Sequence, residues 1–255
     1  MKTLENKTAL VTGASRGIGR AISLALAEAG ARVLVHFGRS QDEAEATASM
    51  IREKGGQADI LGADLSAPDG AALLAQKAGS FVEKGLDIAV LNAGVSKAAP
   101  LAAYTADELD TLFATNVRGP FLLAQQLLPL LAEGSNIVAI TSAVARTVIG
   151  KPGAENPSIL DYASTKGALE TLVKNWAALL GPRGIRVNAV APGVIDTDMS
   201  NFTKTEAGRE TALAMQALKR IGKPEDVADV VAFLASDQAR WITGASIPVD
   251  GGSKL

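Results

Sequence analysis

A chain of 255 residues, 47% hydrophobic and 20% charged, carries enough apolar side chains to bury a large core, which excludes an intrinsically disordered protein. Its formal net charge of −2, with no dense block of Lys and Arg, argues against nucleic acid as a partner, and the lack of cysteine removes disulfides and thiolate metal sites. A single histidine, His36, rules out a histidine-rich metal cluster, and no apolar run reaches membrane-spanning length; a cytoplasmic protein with no metal and no membrane contact is expected.

Short apolar runs alternate with longer helical stretches from one end to the other. Strands are predicted at residues 8–12, 31–37, 58–62, 86–91, 136–141, 186–191 and 246–249. Helices are predicted at 17–29, 40–54, 68–84, 105–132, 161–180 and 224–236. Ser40 with Glu43, and Thr105 with Glu108, have capping-box spacing, and Pro224 suits the first turn of its helix. Strands that are apolar throughout and separated by crossover helices indicate a parallel sheet covered on both faces. One doubly wound α/β domain spanning residues 1–255 follows, with ligands expected beyond the carboxyl ends of the strands.

Three features carry chemistry. The run Thr12-Gly13-Ala14-Ser15-Arg16-Gly17-Ile18-Gly19 follows the first strand, where glycines permit a tight turn and bring a helix N-terminus close to a phosphate. Tyr162 and Lys166 lie four residues apart on one face of a predicted helix. A phenol has a reference pKa of about 10, and a neighbouring ammonium is expected to lower it, making Tyr162 a general acid or base. Ser142 stands just past the fifth strand beside Thr141, and Asn116 lies inside a long helix.

Over essentially its full length the chain resembles the compact short-chain dehydrogenases/reductases. Thr12 to Gly19 is similar to that family's cofactor loop, Asn92-Ala93-Gly94 to its motif after the fourth strand, and Pro192-Gly193 to its turn beside nicotinamide. Asn116, Ser142, Tyr162 and Lys166 fall where the family keeps its catalytic tetrad. The resemblance implies a Rossmann-type NAD(P)-binding domain that interconverts a carbonyl and an alcohol. In that scheme Tyr162 moves the proton, and Lys166 tunes it and holds ribose. Ser142 binds the substrate oxygen, and Asn116 anchors a relay water. Asp64 and Leu65 resemble the adenine-contacting pair, although Asp64 equally suits a helix cap. Asn92 is expected to tie strand ends, with Ala93 and Gly94 lining the adenosine side.

The second strand ends without an acid, offering Arg39 and Ser40, with Arg16 in the glycine turn. NADP(H) is therefore expected over NAD(H), unless these arginines are merely solvated charges. Residues 195–221, including Ile195 and Thr197, correspond to the family's substrate lid. Within it Met199, Phe202 and Met215 form either a pocket wall or local core. The insert 147–158 is expected to border the pocket. A homotetramer built on the helices at 105–132 and 161–180 and the last strand is implied. Two rival readings are an enoyl reductase or dehydratase on this fold, against which the spacing of four argues, and a catalytically silent NADP-binding protein. A 3-oxoacyl thioester is the alternative substrate.

Overall fold

The computed structural model describes residues 3–83, 85–148 and 153–253. Lys84, the expected end of the third helix, and residues 149–152 of the 147–158 insert lie outside them. The apolar runs form β1 (Thr8–Val11), β2 (Arg32–Phe37), β3 (Gln57–Gly62), β4 (Leu86–Leu91), β5 (Leu131–Ile140), β6 (Arg186–Pro192) and β7 (Ser246–Val249). They pair in the order β3-β2-β1-β4-β5-β6-β7, all parallel. Because successive strand side chains point to opposite faces, Val11, Val33 and Val90 enter one core, and Leu10, Leu34 and Ala89 the other.

The first core is closed by α1 (Gly17–Glu28), α2 (Gln41–Glu53) and α8 (Pro224–Ala235), through side chains such as Ile22, Ile51 and Val231. The second is closed by α3 (Gly70–Gly79), α5 (Gly119–Leu127) and α6 (Leu160–Leu180), through Leu74, Leu123 and Val173. Sheet twist and right-handed crossovers then gather the strand ends of β1, β2, β4, β5 and β6 on one rim.

Three expectations need correction. The helix predicted over 105–132 is three pieces: α4 (Ala106–Phe113), a π-type turn at Ala114–Arg118, and α5; the chain is already in β5 at Leu131. Pro120 stands in the first turn of α5, where its missing N–H cannot extend a preceding α-helical ladder. The Thr105–Glu108 box forms with both bonds, but Ser40 makes no side-chain cap, and Glu43 faces Arg16 instead. Within the expected lid, Glu206–Met215 is a further helix, α7, hidden in the sequence by its polarity.

The lid is pinned at its base by pairing of Ile195 with Gly222, and the segment after α7 by Leu218 N–H donating to Gly251 O at 2.9 Å. The described part of the insert pairs at Ser158 with Ala99. Trp176 is buried on α6 beside Phe121, ring centres 6.2 Å apart, whereas Trp241, between α8 and β7, is 96% exposed. Among the described residues no helix is long and apolar enough to cross a membrane.

Candidate active site

The glycine turn is held by buried polar groups from three strand ends. Thr12 Oγ1 accepts the N–H groups of Asn92 and Ala93, both at 2.9 Å, and donates to Val90 O. Asn92 Nδ2 donates to Thr12 O at 2.8 Å and Gly13 O at 3.1 Å, so Asn92 ties strand ends as expected. Gly13, at φ +62°, donates its N–H to His36 Nδ1 at 3.1 Å, and His36 Nε2–H donates to Ala63 O at 2.9 Å. Burial pushes this imidazole down to about 4, which keeps it neutral and able to accept from Gly13. The Ser15 carbonyl accepts from Arg20 and from Thr47 Oγ1.

The turn and the helix that follows it pack at backbone contact: a Cβ on Gly19 would lie 2.2 Å from Gly13 O. Helix α1 begins at Gly17 with no side-chain cap and no acid in its first turn, leaving its leading N–H groups to an anion. Thr197 from the lid faces Gly17, its Cγ2 3.5 Å from where a Cβ would stand, and Ile18 packs partly into the core.

Along the rim, Arg39 is exposed and Ser40 partly so at the end of β2. Asp64 Oδ1 accepts from Ser66 N at 2.9 Å and Ser66 Oγ at 2.6 Å, holding its carboxyl below the usual range with smaller help from Arg39 and His36. Asp64 thus holds a local turn and does not cap α3, which is preceded by Asp69. Leu65 is buried. Arg16 lies between the lid and the first turn of α2, 3.6 Å from Asp198 and 4.0 Å from Glu43.

Tyr162 and Lys166 occupy one face of α6. Lys166 is 3% exposed; its Nζ donates to Ile140 O at 2.7 Å and stands 5.5 Å from the Tyr162 ring centre. Burial pushes the lysine down to about 8 and the phenol up to about 12, against the lowering effect of a Ser142 hydrogen bond on Tyr162. The expected depression of Tyr162 by Lys166 is thus corrected: burial of the phenol itself raises it, the one opposing influence is the Ser142 hydrogen bond, and the phenol rests protonated. Thr141 turns its hydroxyl inward to Glu170 and Val190 O, so Ser142 is the one that meets the phenol.

Asn116 sits on the π-type turn, 1% exposed. Its Oδ1 accepts Val95 N–H, and its Nδ2 donates to Val95 O, each at 2.9 Å, and to Thr165 Oγ1 at 3.0 Å. A Cβ on Gly94 would lie 3.3 Å from Asn116 Oδ1 and 3.4 Å from Lys166 Nζ, so the bare glycine is where these groups converge. Pro192 and Gly193 end β6, with Gly193 N–H on Val249 O, and Ile195 is buried at the lid hinge. Two residues that shape the site escaped the sequence reading: His36, a polar end to an apolar strand opposite Gly13, and Glu170, a charge one turn beyond Lys166.

Residues 13–254 match the family model described as "Enoyl-(Acyl carrier protein) reductase". The chain is 40% identical over 262 residues to versicolorin reductase stcU of Emericella nidulans, covering 98% of this chain and 96% of that one. It is 40% identical over 249 residues to the 3-oxoacyl-[acyl-carrier-protein] reductase FabG of Staphylococcus epidermidis, covering 97% and 98%. The solved angucycline C-6 ketoreductase LanV with bound NADP superposes with a TM-score of 0.91 at 38% identity, over 99% of this chain and 97% of that one. The chain belongs to the short-chain dehydrogenase/reductase family. It is an NAD(P)-dependent oxidoreductase acting on a small molecule.

Proposed function

We propose that this chain reduces a neutral ketone or aldehyde with NADPH, and oxidises the alcohol in reverse. The hydrogen bond between Tyr162 and Ser142, with Lys166 5.5 Å from the Tyr162 ring centre and meeting Asn116 at the bare backbone of Gly94, carries the reading. When bound, the nicotinamide supplies the hydride that adds to the carbonyl carbon. Tyr162 gives its phenolic proton to the carbonyl oxygen and takes it back in the reverse direction; a phenol at about 12 starts in the donor form. Ser142 donates a hydrogen bond to the same oxygen as charge develops there. Lys166, poised at about 8, restores the tyrosine proton and turns to the ribose hydroxyls, and Asn116 holds the adjoining turn on Val95.

Gly13, Ser15, Gly17, Ile18 and Gly19 hold the pyrophosphate. Asp64 and Leu65 take the adenine, Ala93 and Gly94 the adenosine side, and Pro192, Gly193, Ile195 and Thr197 the nicotinamide. Arg39 and Ser40, with Arg16 released from Asp198, suit a 2′-phosphate. LanV carries NADP, which supports the same preference here. Residues 195–221 act as the lid of a single cofactor-binding domain in a cytoplasmic homotetramer. Exposed Phe113, Phe121 and Trp241 lie on the helices and terminal segment that such an assembly covers.

Initial rates against a cyclic aryl ketone, a 3-oxoacyl thioester and an enoyl thioester test the activity. Ketone turnover, a higher kcat/KM with NADPH than NADH, and a loss of roughly 10²- to 10⁴-fold in kcat for Tyr162→Phe with NADPH still bound are expected. Near-wild-type kcat in that variant overturns the mechanism. The 40% identity to FabG favours a second reading, a 3-oxoacyl thioester as the natural ketone. The four-residue spacing of Tyr162 and Lys166 weighs against the enoyl substrate.

A further inference from the structure

We infer that Glu170 is a positioning residue that fixes the Ser142 turn against the helix bearing Tyr162 and Lys166. The inference rests on the reading that Ser142 and Tyr162 act together on one carbonyl oxygen. Glu170 lies one turn past Lys166 and two past Tyr162, on the same stripe of α6, and is 9% exposed. Its carboxylate accepts three side-chain donors from three other parts of the chain. Thr141 Oγ1 donates to Oε1 at 3.3 Å, Ser246 Oγ of β7 to Oε1 at 2.9 Å, and Arg146 Nε to Oε2 at 2.7 Å.

Two of those donors bracket Ser142. Thr141 precedes it at the end of β5, and Arg146 closes the short 3-10 turn Ala143–Ala145 that follows it. One carboxylate on the Tyr162 helix therefore grips the Ser142 segment on both sides. A second grip from the same helix is Lys166 on Ile140 O, beside the Tyr162–Ser142 hydrogen bond itself. In the proposed reaction Lys166 turns to the ribose, so this second grip loosens when the site is loaded. Glu170 then keeps the hydroxyl and the phenol in register.

A plain stabilising ion pair is the simpler account, but it predicts a different outcome. Burying a charge pair seldom stabilises a fold more than apolar side chains of the same volume do. The Arg146 side chain is 46% exposed, so that pair is also partly screened. Geometry at the site is the larger lever, because a displacement of about 1 Å between reacting groups costs up to roughly 10² in rate.

Arg146→Met, which changes a half-exposed side chain, tests this beside Glu170→Gln and their combination, each with the full enzyme at saturating NADPH. Each single variant is expected to lower kcat roughly 5- to 50-fold. KM for the ketone and Kd for NADPH, from nucleotide fluorescence, should stay within about twofold, and the combination should be no worse than the weaker single variant. Three results overturn the inference: kcat within about twofold of wild type in both single variants, losses that multiply in the combination, or NADPH affinity falling in step with kcat. Ketone turnover by wild type and its loss in Tyr162→Phe are read in the same assay. If wild type reduces no carbonyl, the functional reading fails and this inference falls with it. If only the Glu170 and Arg146 arms fail, the functional reading stands.

Discussion

The glycine turn and the lid flank the same rim and are built in opposite ways. Thr12 and His36 are almost wholly buried, and with Asn92 they bolt the turn to the ends of β1, β2 and β4 through side-chain hydrogen bonds. The lid leaves Met199, Phe202 and Leu218 about half exposed, its two ends pair with each other at Ile195 and Gly222, and Leu218 hydrogen-bonds to Gly251 after β7. A cleft of about 480 Å³ opens to solvent between Asp196, Thr203, Arg209 and Ile221. A diphosphate is the same in every turnover, so its cradle gains from being made in advance. A segment that admits and releases substrate belongs to the low-stability end of a fold, with few buried apolar contacts.

The contrast breaks most sharply at Gly19. Its missing Cβ falls 2.2 Å from Gly13 O and 2.6 Å from Asn92 Nδ2, so Gly19→Ala must open the turn. NADPH Kd should rise on the order of 100-fold, and Tm should fall by several degrees; near-native values would show that the turn yields as easily as the lid. The pH dependence of stability comes next. His36 titrates at about 4 when folded and near 6.5 when unfolded, so in that window the unfolded chain binds more protons. Its contribution is complete above about 6.5 and is lost as pH falls towards 4, amounting to about 3 kcal/mol. Urea unfolding at several pH values should show a steeper acid slope for wild type than for His36→Gln. Equal slopes would remove the imidazole from the account. The smallest expected effect is Phe202→Ala: ketone KM should rise a few-fold while Tm stays within about 1 °C. A large fall in Tm would make Phe202 core instead of lid.

Seven strands were readable because each is a short, mainly apolar run set between longer helical stretches, and the structure keeps each one, although β5 begins five residues early, at Leu131. The break at Ala114–Arg118 had one signal in the sequence, the Gly119-Pro120 pair that follows it, which the helical spacing on either side masked. Helix α7 was lost to composition: its short sequence lacks the apolar stripe that betrays the others. At the site, residue types and spacing pointed to Tyr162, Lys166 and Ser142, but the protonation states depend on burial, which no spacing reveals. Lys166 proves to be 3% exposed and aimed at a backbone carbonyl, and the burial of Tyr162 itself raises the phenol instead of lowering it. Glu170 was within reach of sequence reasoning, as the next member of a stripe already marked by Tyr162 and Lys166.

The two tryptophans make the molecule its own optical gauge. Trp176 lies in the interior against Phe121, and Trp241 stands almost wholly in water at the approach to β7. Emission from an isolated chain is thus a sum of one shielded indole and one that acrylamide quenches freely. Association through the terminal strand would cover Trp241, shift its emission to shorter wavelength and cut its quenching, with little change at Trp176. A dilution series on the Trp176→Phe variant would isolate that signal and report assembly at this edge without a label.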